Sequence, residues 1–460
     1  MKHYILLRKS TESSETVDYK QLTECPKVVV LKAVTGAKDC SWTLRYTYYA
    51  FIVSLPFASA NIGVDIGLSS WGKLIGYAFM MAALLQPRLC FKFPPKAFWL
   101  FTIYLCMVAL MGIVQEPRFY DRIRTSLFTV TQVLILFWIS YNLMRYERIR
   151  KGTLWVLAVS CLILAIMQIL NITSERVGYG DRVSAFGDNP NQLGWMLSVG
   201  LLTLVGLAYG RENVNFKVRL LTWLSFGVLA TALIRTGSRG ATAGLVAGLM
   251  AFLLKGRSFG TKLKIGLIVV LGIGSLIWAS YHIEAVRVRW EQTFYKGSMA
   301  GREEIYPAAW EMFQEKPLFG WGPVKHYYEL GSRLGLPTRD PHNLYLWILI
   351  ETGLLGAVPF FAGLWLCWHA AWKARHSIQG VVPVALMLCF LVNNAKGTGL
   401  ADKVSWIILA YALASGSSVP PPWRWRRRVH PANTWPTHWP TSATLPFPGY
   451  VTPLNNNLDS

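Results

Sequence analysis

The sequence predicts an all-α polytopic membrane protein, and its composition, its apolar runs and its distribution of basic residues all favour this class. Of the 460 residues, 53% are hydrophobic and only 15% are charged. The apolar residues form long runs separated by short polar breaks, as in chains with many membrane spans. Because lipid offers no hydrogen-bond partner to the backbone, these runs are expected to form helices and not an open sheet.

About twelve transmembrane helices are predicted, with one long, partly helical outer loop at 282–341. The predicted transmembrane domain is 43–416, flanked by an inner tail at 1–42 and an inner, disordered tail at 417–460. The first apolar run follows a polar tail, so no cleaved signal peptide is predicted. The predicted spans are 43–60, 66–86, 97–115, 126–144, 153–171, 192–209, 220–234, 239–254, 265–281, 343–368, 380–395 and 404–416.

Basic residues near the span ends set the predicted orientation, because Lys and Arg are retained on the cytoplasmic side. With the N-terminus inside, most of the formal net charge of +22 falls on the inner tails and loops. Both termini are therefore expected in the cytoplasm. The basic residues are scattered over short loops between spans, which argues against a nucleic-acid-binding protein.

Many arginines nevertheless fall on the predicted outer side, where the orientation rule favours few basic residues. Arginine can bind phosphate oxygens through two parallel hydrogen bonds, so this surplus suggests an outer site for a phosphorylated ligand. The alternative is that these side chains pair with outer acids or lipid head groups. The outer arginines are Arg118, Arg122, Arg124, Arg176, Arg182, Arg235, Arg239, Arg287, Arg289, Arg302, Arg333 and Arg339.

Neither the cysteines nor the histidines predict a metal or disulfide site. The seven cysteines fall in spans or on the inner side and form no CxxC pair. The outer histidines His282, His326 and His342 are scattered, with no carboxylate at ligand spacing. No metal and no cofactor are therefore expected.

The stretch "RTGSRGATAGLVAG", residues 235–248, is one candidate anion site. Ser238 is a suitable N-cap for the next span, which puts Arg239 in a first turn rich in unpaired N–H donors. A cation there is slightly unfavourable unless an anion binds. Arg235 is a further candidate for the same ligand, and the glycines at four-residue spacing are interpreted as a helix-packing stripe.

A short helix is predicted in the long loop, in "GREEIYPAAWEMFQEKPLFGWGP", with Ile305, Ala309, Trp310 and Phe313 on its apolar face. Arg302 at its start would add a guanidinium to the helix N–H donors around a phosphate. Arg289, earlier in the loop, is another candidate phosphate ligand. The alternative is a simple lid with solvated charges.

Residues 178–195, "GYGDRVSAFGDNPNQLGW", form a Gly-, Asp- and Asn-rich turn that leads into the sixth span. Asn191 is the candidate substrate-binding residue in this turn. The alternative is ordinary turn and cap chemistry without a ligand.

His342 is the candidate general base. Asp340 is predicted to cap the tenth span and Pro341 to occupy its first position, which places His342 in the first helical turn. The positive helix end and nearby arginines disfavour imidazolium, so His342 is expected to be neutral near pH 7. The alternative is an interfacial histidine bonded to a head group or to Asp340. Glu351 lies within the same span, too far along it for proton exchange, and is interpreted as a structural or orienting residue.

The motifs "TGSRGA", "GRxxxxxAAW...KPLFGWG" and "PHNLYL", in this order on a twelve-span protein, resemble the O-antigen ligase and polymerase superfamily. The resemblance covers roughly residues 40 to 416. It implies a GT-C-like membrane glycosyltransferase of the bacterial inner membrane. Such an enzyme uses an undecaprenyl-diphosphate-linked glycan donor on the periplasmic face and needs no metal. The family's paired arginines fall on Arg239 and Arg302, and its histidine falls on His342.

The resemblance leaves the acceptor open. Lipid A-core is expected for a ligase, a second glycan repeat for a polymerase, and a protein hydroxyl for an O-oligosaccharyltransferase. The appearance of the last spans favours the ligase, and the end of the chain soon after the last span counts against the protein-glycosylating branch. A transporter of an anionic polyprenyl lipid is the alternative from another class. It would carry polar residues deep in several spans, and apart from Glu351 the spans hold few.

Overall fold

A computed structural model of the chain describes residues 40–58, 71–172, 174–177, 182–209, 215–255, 301–376, 380–397 and 399–417, with scattered positions between 266 and 295. These residues are mostly helical, as the apolar runs predict. The predicted tails and the predicted ninth span, 265–281, lie largely outside them.

Among the described residues, nine α-helices precede the long loop and five more lie within it or after it. The first group is α1 Trp42–Ser54, α2 Trp71–Leu84, α3 Pro87–Cys90, α4 Lys96–Ile113, α5 Tyr120–Met144, α6 Glu147–Ile169, α7 Pro190–Tyr209, α8 Phe216–Arg235 and α9 Arg239–Ala251. The second group is α10 Arg302–Glu315, α11 Lys325–Arg333, α12 Leu344–Ala374, α13 Val382–Asn394 and α14 Lys403–Ser417.

Six of these helices, α4 to α8 and α12, are long and apolar enough to cross a membrane. Each predicted span other than the ninth coincides with a described helix. Large apolar side chains such as Phe128, Trp223 and Trp365 are exposed on the outside of the bundle, where lipid would cover them. The fold is therefore that of a helical membrane protein, while the number of spans and their sidedness stay predictions.

One large apolar core joins most of the described helices. Helix α12 packs against α4 and α14, and α9 packs against α13. Large side chains such as Phe101, Phe137 and Trp195 are almost completely buried where these helices meet. This packing fixes the ends of α7, α9, α12, α13 and α14 relative to one another.

Helix α12 is broken at Gly353, whose φ of 58° and ψ of −161° are not helical. The loop segment 317–322 crosses this break. There the N–H of Trp321 donates to the carbonyl of Ile350, and the N–H of Leu354 donates to that of Pro317. A Cβ on Gly353 would lie 2.4 Å from the carbonyl carbon of Leu318, so only glycine fits. The motif "KPLFGWG" thus supplies hydrogen bonds to an opened membrane helix.

Two details differ from the sequence-based predictions. An antiparallel hairpin, β1 Ser174–Val177 and β2 Arg182–Ala185, overlaps the start of the predicted turn at 178–195 and was not predicted. The buried face of α10 carries Ile305, Ala309 and Met312, whereas Trp310 is 47% exposed. Spacing of four and three residues keeps the observed stripe on one side of the helix, against Leu330 and Ile350.

Candidate active site

A cavity of about 660 Å³ opens at one end of the helix bundle, here called the cavity end. Its walls come from the first residues of α7, α9, α10 and α14, from the approach to α12 and from the end of α13. The positive dipole ends of several helices therefore lie at this cavity. Such a cavity favours an anionic ligand.

Four cationic residues from distant parts of the sequence line the cavity: Arg182, Arg239, Arg302 and Lys396. Arg239 is the first residue of α9, and the Ser238 hydroxyl caps that helix by accepting the N–H of Ala241. Arg302 is the first residue of α10. The structure thus brings the two predicted arginines to one cavity and adds a lysine.

The first two turns of α10 hold this side of the cavity together. The Arg302 guanidinium donates to the carbonyl of Lys396 at 3.0 Å. The Tyr306 hydroxyl donates to the carbonyl of Ala395 at 3.0 Å and lies 3.4 Å from that of His342. Helix α10 therefore positions the turn after α13 and the backbone of His342 at the same time.

His342 lines the cavity, although the local structure differs from the prediction. Helix α12 begins at Leu344, and its N-cap is Asn343, whose side chain accepts the N–H groups of Tyr345 and Leu346. Asp340 instead accepts the N–H of His342 at 2.6 Å, in a turn before the helix. Asn343 directly precedes the first helical residue, so its carboxamide takes the capping position. His342 therefore lies just outside α12, with a φ of 48°.

The surroundings of His342 favour neutral imidazole, in the direction that the sequence predicts. Partial burial lowers the pKa of His342, and the positive charges of Arg302 and Arg339 lower it further. The Asp340 carboxylate, 3.5 Å from Nδ1, opposes this by stabilising the charged form. The net result is a pKa below the ordinary histidine value of about 6.5. Such an imidazole is able to accept a proton near neutral pH.

Changes in the charges beside His342 are expected to move the acid limb of the pH–rate profile in opposite directions. A base must be neutral, so activity should fall as the pH drops through the lowered pKa, which lies below about 6.5. Arg339→Gln should shift this limb to higher pH and Asp340→Asn to lower pH, each by roughly half a unit or more. The measurement is kcat/KM from pH 4.5 to 8. Shifts of both variants in the same direction would exclude His342 as the titrating base.

Asn191 also lines the cavity, and its side-chain oxygen accepts from Arg182 at 2.9 Å. Arg182 is buried and also donates to the carbonyl of Thr236, in the turn before α9. The buried guanidinium therefore links the hairpin, the start of α7 and the start of α9. This network gives Asn191 a structural partner and leaves its role towards a substrate a prediction.

One predicted ligand residue, Arg235, does not line the described cavity wall. The Arg235 guanidinium donates to the carbonyls of Gln168 and Ile169 and to the side chain of Asn171. It stabilises the C-terminal, negative end of α6, which explains an arginine at this position without a ligand. Arg289 lies outside the described residues.

Glu351 has the structural pairing that was expected of it. Its carboxylate is buried and accepts the Tyr104 hydroxyl of α4 at 2.6 Å. It lies beside the break in α12, away from the residues that line the cavity.

Sequence reasoning missed Lys396, Tyr306 and Asp402, which all line the cavity. Asp402 caps α14 and accepts the Trp195 indole N–H at 3.0 Å and the Ser405 hydroxyl at 2.7 Å. The signal for Lys396 was available in "NNAKGTG", a polar, glycine-containing stretch between two predicted spans. Tyr306 and Asp402 had no comparable signal.

Positive charge is the main chemical feature of this cavity. Partial burial lowers the pKa of Lys396, and the nearby Arg302 and Arg239 lower it further, which shows how close the three cations lie. Within the described residues, no three His, Cys, Asp or Glu side chains lie together as metal ligands would. The arrangement can bind a multiply charged anion next to a proton acceptor.

The fold and the cavity together define a helical membrane protein with a cationic cavity beside His342, whose pKa is lowered. Residues 220–361 match the family model described as O-antigen ligase, a stretch that contains Arg239, Arg302 and His342. Over 358 residues the chain is 26% identical to an O-antigen ligase of Pseudomonas aeruginosa, covering 74% of this chain and 82% of that protein. These two matches support membership of the O-antigen ligase family.

Proposed function

We propose that this protein is an O-antigen ligase, a glycosyltransferase that moves the glycan of an undecaprenyl-diphosphate-linked donor onto lipid A-core. The observation that supports this proposal best is the shared cavity of Arg239, Arg302 and His342. These are the residues to which the family resemblance assigns the leaving group and the base. They come from three separate segments of the chain, so their meeting is a property of the fold.

The cations bind the diphosphate of the donor in this proposal. Negative charge grows on the leaving diphosphate as the bond to the sugar breaks, and preorganised donors that face it lower the barrier. Arg239 and Arg302 provide planar donors, and Lys396 adds a compact charge. Together with the helix N-termini they supply the positive charge that a divalent cation supplies in other transferases, so the reaction is proposed to be metal-independent.

His342 is the general base. Asp340 would hold Nδ1–H, which leaves Nε2 to accept the proton of the acceptor hydroxyl. The acceptor oxygen then forms a bond to the anomeric carbon while the bond from that carbon to the diphosphate oxygen breaks. A single in-line displacement inverts the anomeric configuration and releases undecaprenyl diphosphate.

Both proposed substrates are lipids, which accords with a cavity at one end of a helical membrane protein. The proposed location is the bacterial inner membrane, with the cavity end on the periplasmic side and both termini in the cytoplasm. The excess of basic residues in the predicted inner tails and loops supports this orientation.

The proposal is tested with purified protein, undecaprenyl-diphosphate glycan and lipid A-core in the presence of EDTA. We expect turnover to be unchanged, within about twofold, because the site's own cations neutralise the leaving group. The product should be lipid A-core that carries the glycan with inverted anomeric configuration. Turnover that requires added Mg²⁺ would contradict metal independence, and a lengthened donor in place of glycosylated lipid A-core would identify a polymerase.

A further inference from the structure

A second hollow, here called the side groove, opens laterally between α2 and α5 and has a volume of about 460 Å³. Phe51 of α1 and Phe79 of α2 form part of its floor and are buried. Tyr77 and Phe128 on its rims are 55% and 63% exposed. The groove therefore opens towards the outside of the bundle, where lipid surrounds a membrane protein.

Two lysines lie at one end of the side groove. Lys73 is in the first turn of α2, and Lys403 is the first residue of α14. The ammonium of Lys73 is close enough to repel that of Lys403. Cations in the first turn of a helix are also disfavoured by the helix dipole. Asp402 offsets part of this charge, but its carboxylate already accepts hydrogen bonds from Trp195 and Ser405. Both ammonium groups would attract an anion bound at this end of the groove.

This cationic end is connected to the active-site cavity through residues that they share with a third hollow. A third hollow of about 320 Å³ lies between the two and shares Lys403 with the side groove. It shares Asp402 and Gln192 with the cavity. Among the described residues, this intermediate hollow therefore lies between the cavity and a head group bound at the lysines.

The wall of the side groove also carries hydrogen-bonding groups. Thr129 and Gln132 lie about one turn apart on α5, and the Gln132 side chain is exposed within a membrane helix. A carboxamide facing hydrocarbon is costly unless it forms hydrogen bonds. The ester and amide carbonyls of an acylated lipid are suitable acceptors, whereas a polyprenyl chain has no such group.

We infer that the side groove binds an acyl chain of a phosphorylated acyl glycolipid, with the phosphate at Lys73 and Lys403 and the sugar head towards the cavity. This lipid is the acceptor, an assignment that rests on the proposed function. In that function the diphosphate of the donor lipid occupies Arg239, Arg302 and Lys396. Two lipid substrates thus have two cationic centres, on either side of Asp402 and Gln192.

The test measures lipid binding by the full-length protein in detergent, through the rise in Tm during titration, with three probes. These are bis-phosphorylated hexa-acyl glucosamine disaccharide (lipid A), undecaprenyl diphosphate and phosphatidylglycerol. The double variant that combines Lys73→Gln and Lys403→Gln should raise the apparent Kd for lipid A at least about tenfold, because two charge-assisted contacts are lost. Binding of undecaprenyl diphosphate should be unchanged. Lys325→Gln, which removes a lysine of the loop helix α11, is the matched control.

A second variant fills the side groove without removing a charge. A Cβ at Gly76 would meet the Phe51 ring at 3.5 Å, an ordinary contact, so Gly76→Leu projects into the groove without a backbone clash. It should weaken lipid A binding while the protein stays folded. Gly227→Leu on α8, where nothing lies within 4 Å, is its control and should bind normally.

The outcomes separate this inference from the proposed function. Loss of undecaprenyl diphosphate binding in the double lysine variant would overturn the assignment to the acceptor. Phosphatidylglycerol binding as tightly as lipid A would also overturn it, because the groove would then be a general phospholipid site. If Arg239→Ala and Arg302→Ala leave undecaprenyl diphosphate binding unchanged, the proposed function fails, whatever the lysine variants do.

Discussion

His342→Ala is expected to reduce the rate of glycan transfer by about 10²- to 10⁴-fold, the usual contribution of a positioned general base. The acceptor hydroxyl would then have to lose its proton to water. The diphosphate ligands Arg239 and Arg302 remain in place, so binding of the donor should change little. The measurement is single-turnover transfer together with a separate titration of undecaprenyl diphosphate.

Two further histidine variants sharpen this prediction. His342→Gln keeps a polar side chain of similar length but cannot serve as a base, so it should be as inactive as the alanine variant. His282, which is exposed and bonded to the carbonyl of Trp278, provides the control, and His282→Ala should retain normal turnover. Normal rates in either His342 variant would show that another group takes the proton.

Replacement of the paired arginines should give the second large effect. Arg239→Ala and Arg302→Ala should each lower kcat by about 10²- to 10³-fold, as the loss of one preorganised donor to a developing anion usually does. Because the leaving group gains charge in the transition state, kcat should fall more than KM rises. Lysine at either position should restore part of the rate, since it keeps the charge but not the two-pronged geometry.

The arginine variants have a matched control in the same loop. Arg333 binds Glu315 and Glu329 through hydrogen-bonded ion pairs and does not line the described cavity. Arg333→Ala should lower the stability of the loop only slightly, because solvent screens these partly exposed ion pairs. Its kcat should stay near that of the parent protein. A loss as large as that in Arg302→Ala would show that the loop, and not the charge in the cavity, limits turnover.

The helical membrane class followed from local patterns in the sequence. Long apolar runs predict helices wherever the backbone must satisfy its own hydrogen bonds, and the described helices coincide with the predicted spans outside 265–281. Local capping rules also placed Arg239 and Arg302 at the starts of their helices, as the structure has them. Those inferences needed only a few neighbouring residues.

The local capping rules failed where two nearby residues could each cap the same helix. Asp340 and Asn343 are both suitable caps, and the sequence alone favoured Asp340. In the structure Asn343 caps α12, and the turn through Asp340 leaves His342 outside the helix. The direction of the pKa shift of His342 was still predicted correctly, because burial and neighbouring arginines act in the same direction on either side of the helix start.

The sequence by itself determined the membrane class, the order of the helices and the candidate residues Arg239, Arg302 and His342. The tertiary structure alone decided which charges share a cavity. Packing of α13 on α9 places Lys396 in the cavity wall. The Arg235 side chain instead donates to carbonyls at the end of α6. The physical reason is that helix formation depends on residues three or four apart, whereas a cavity depends on contacts between segments far apart in the chain.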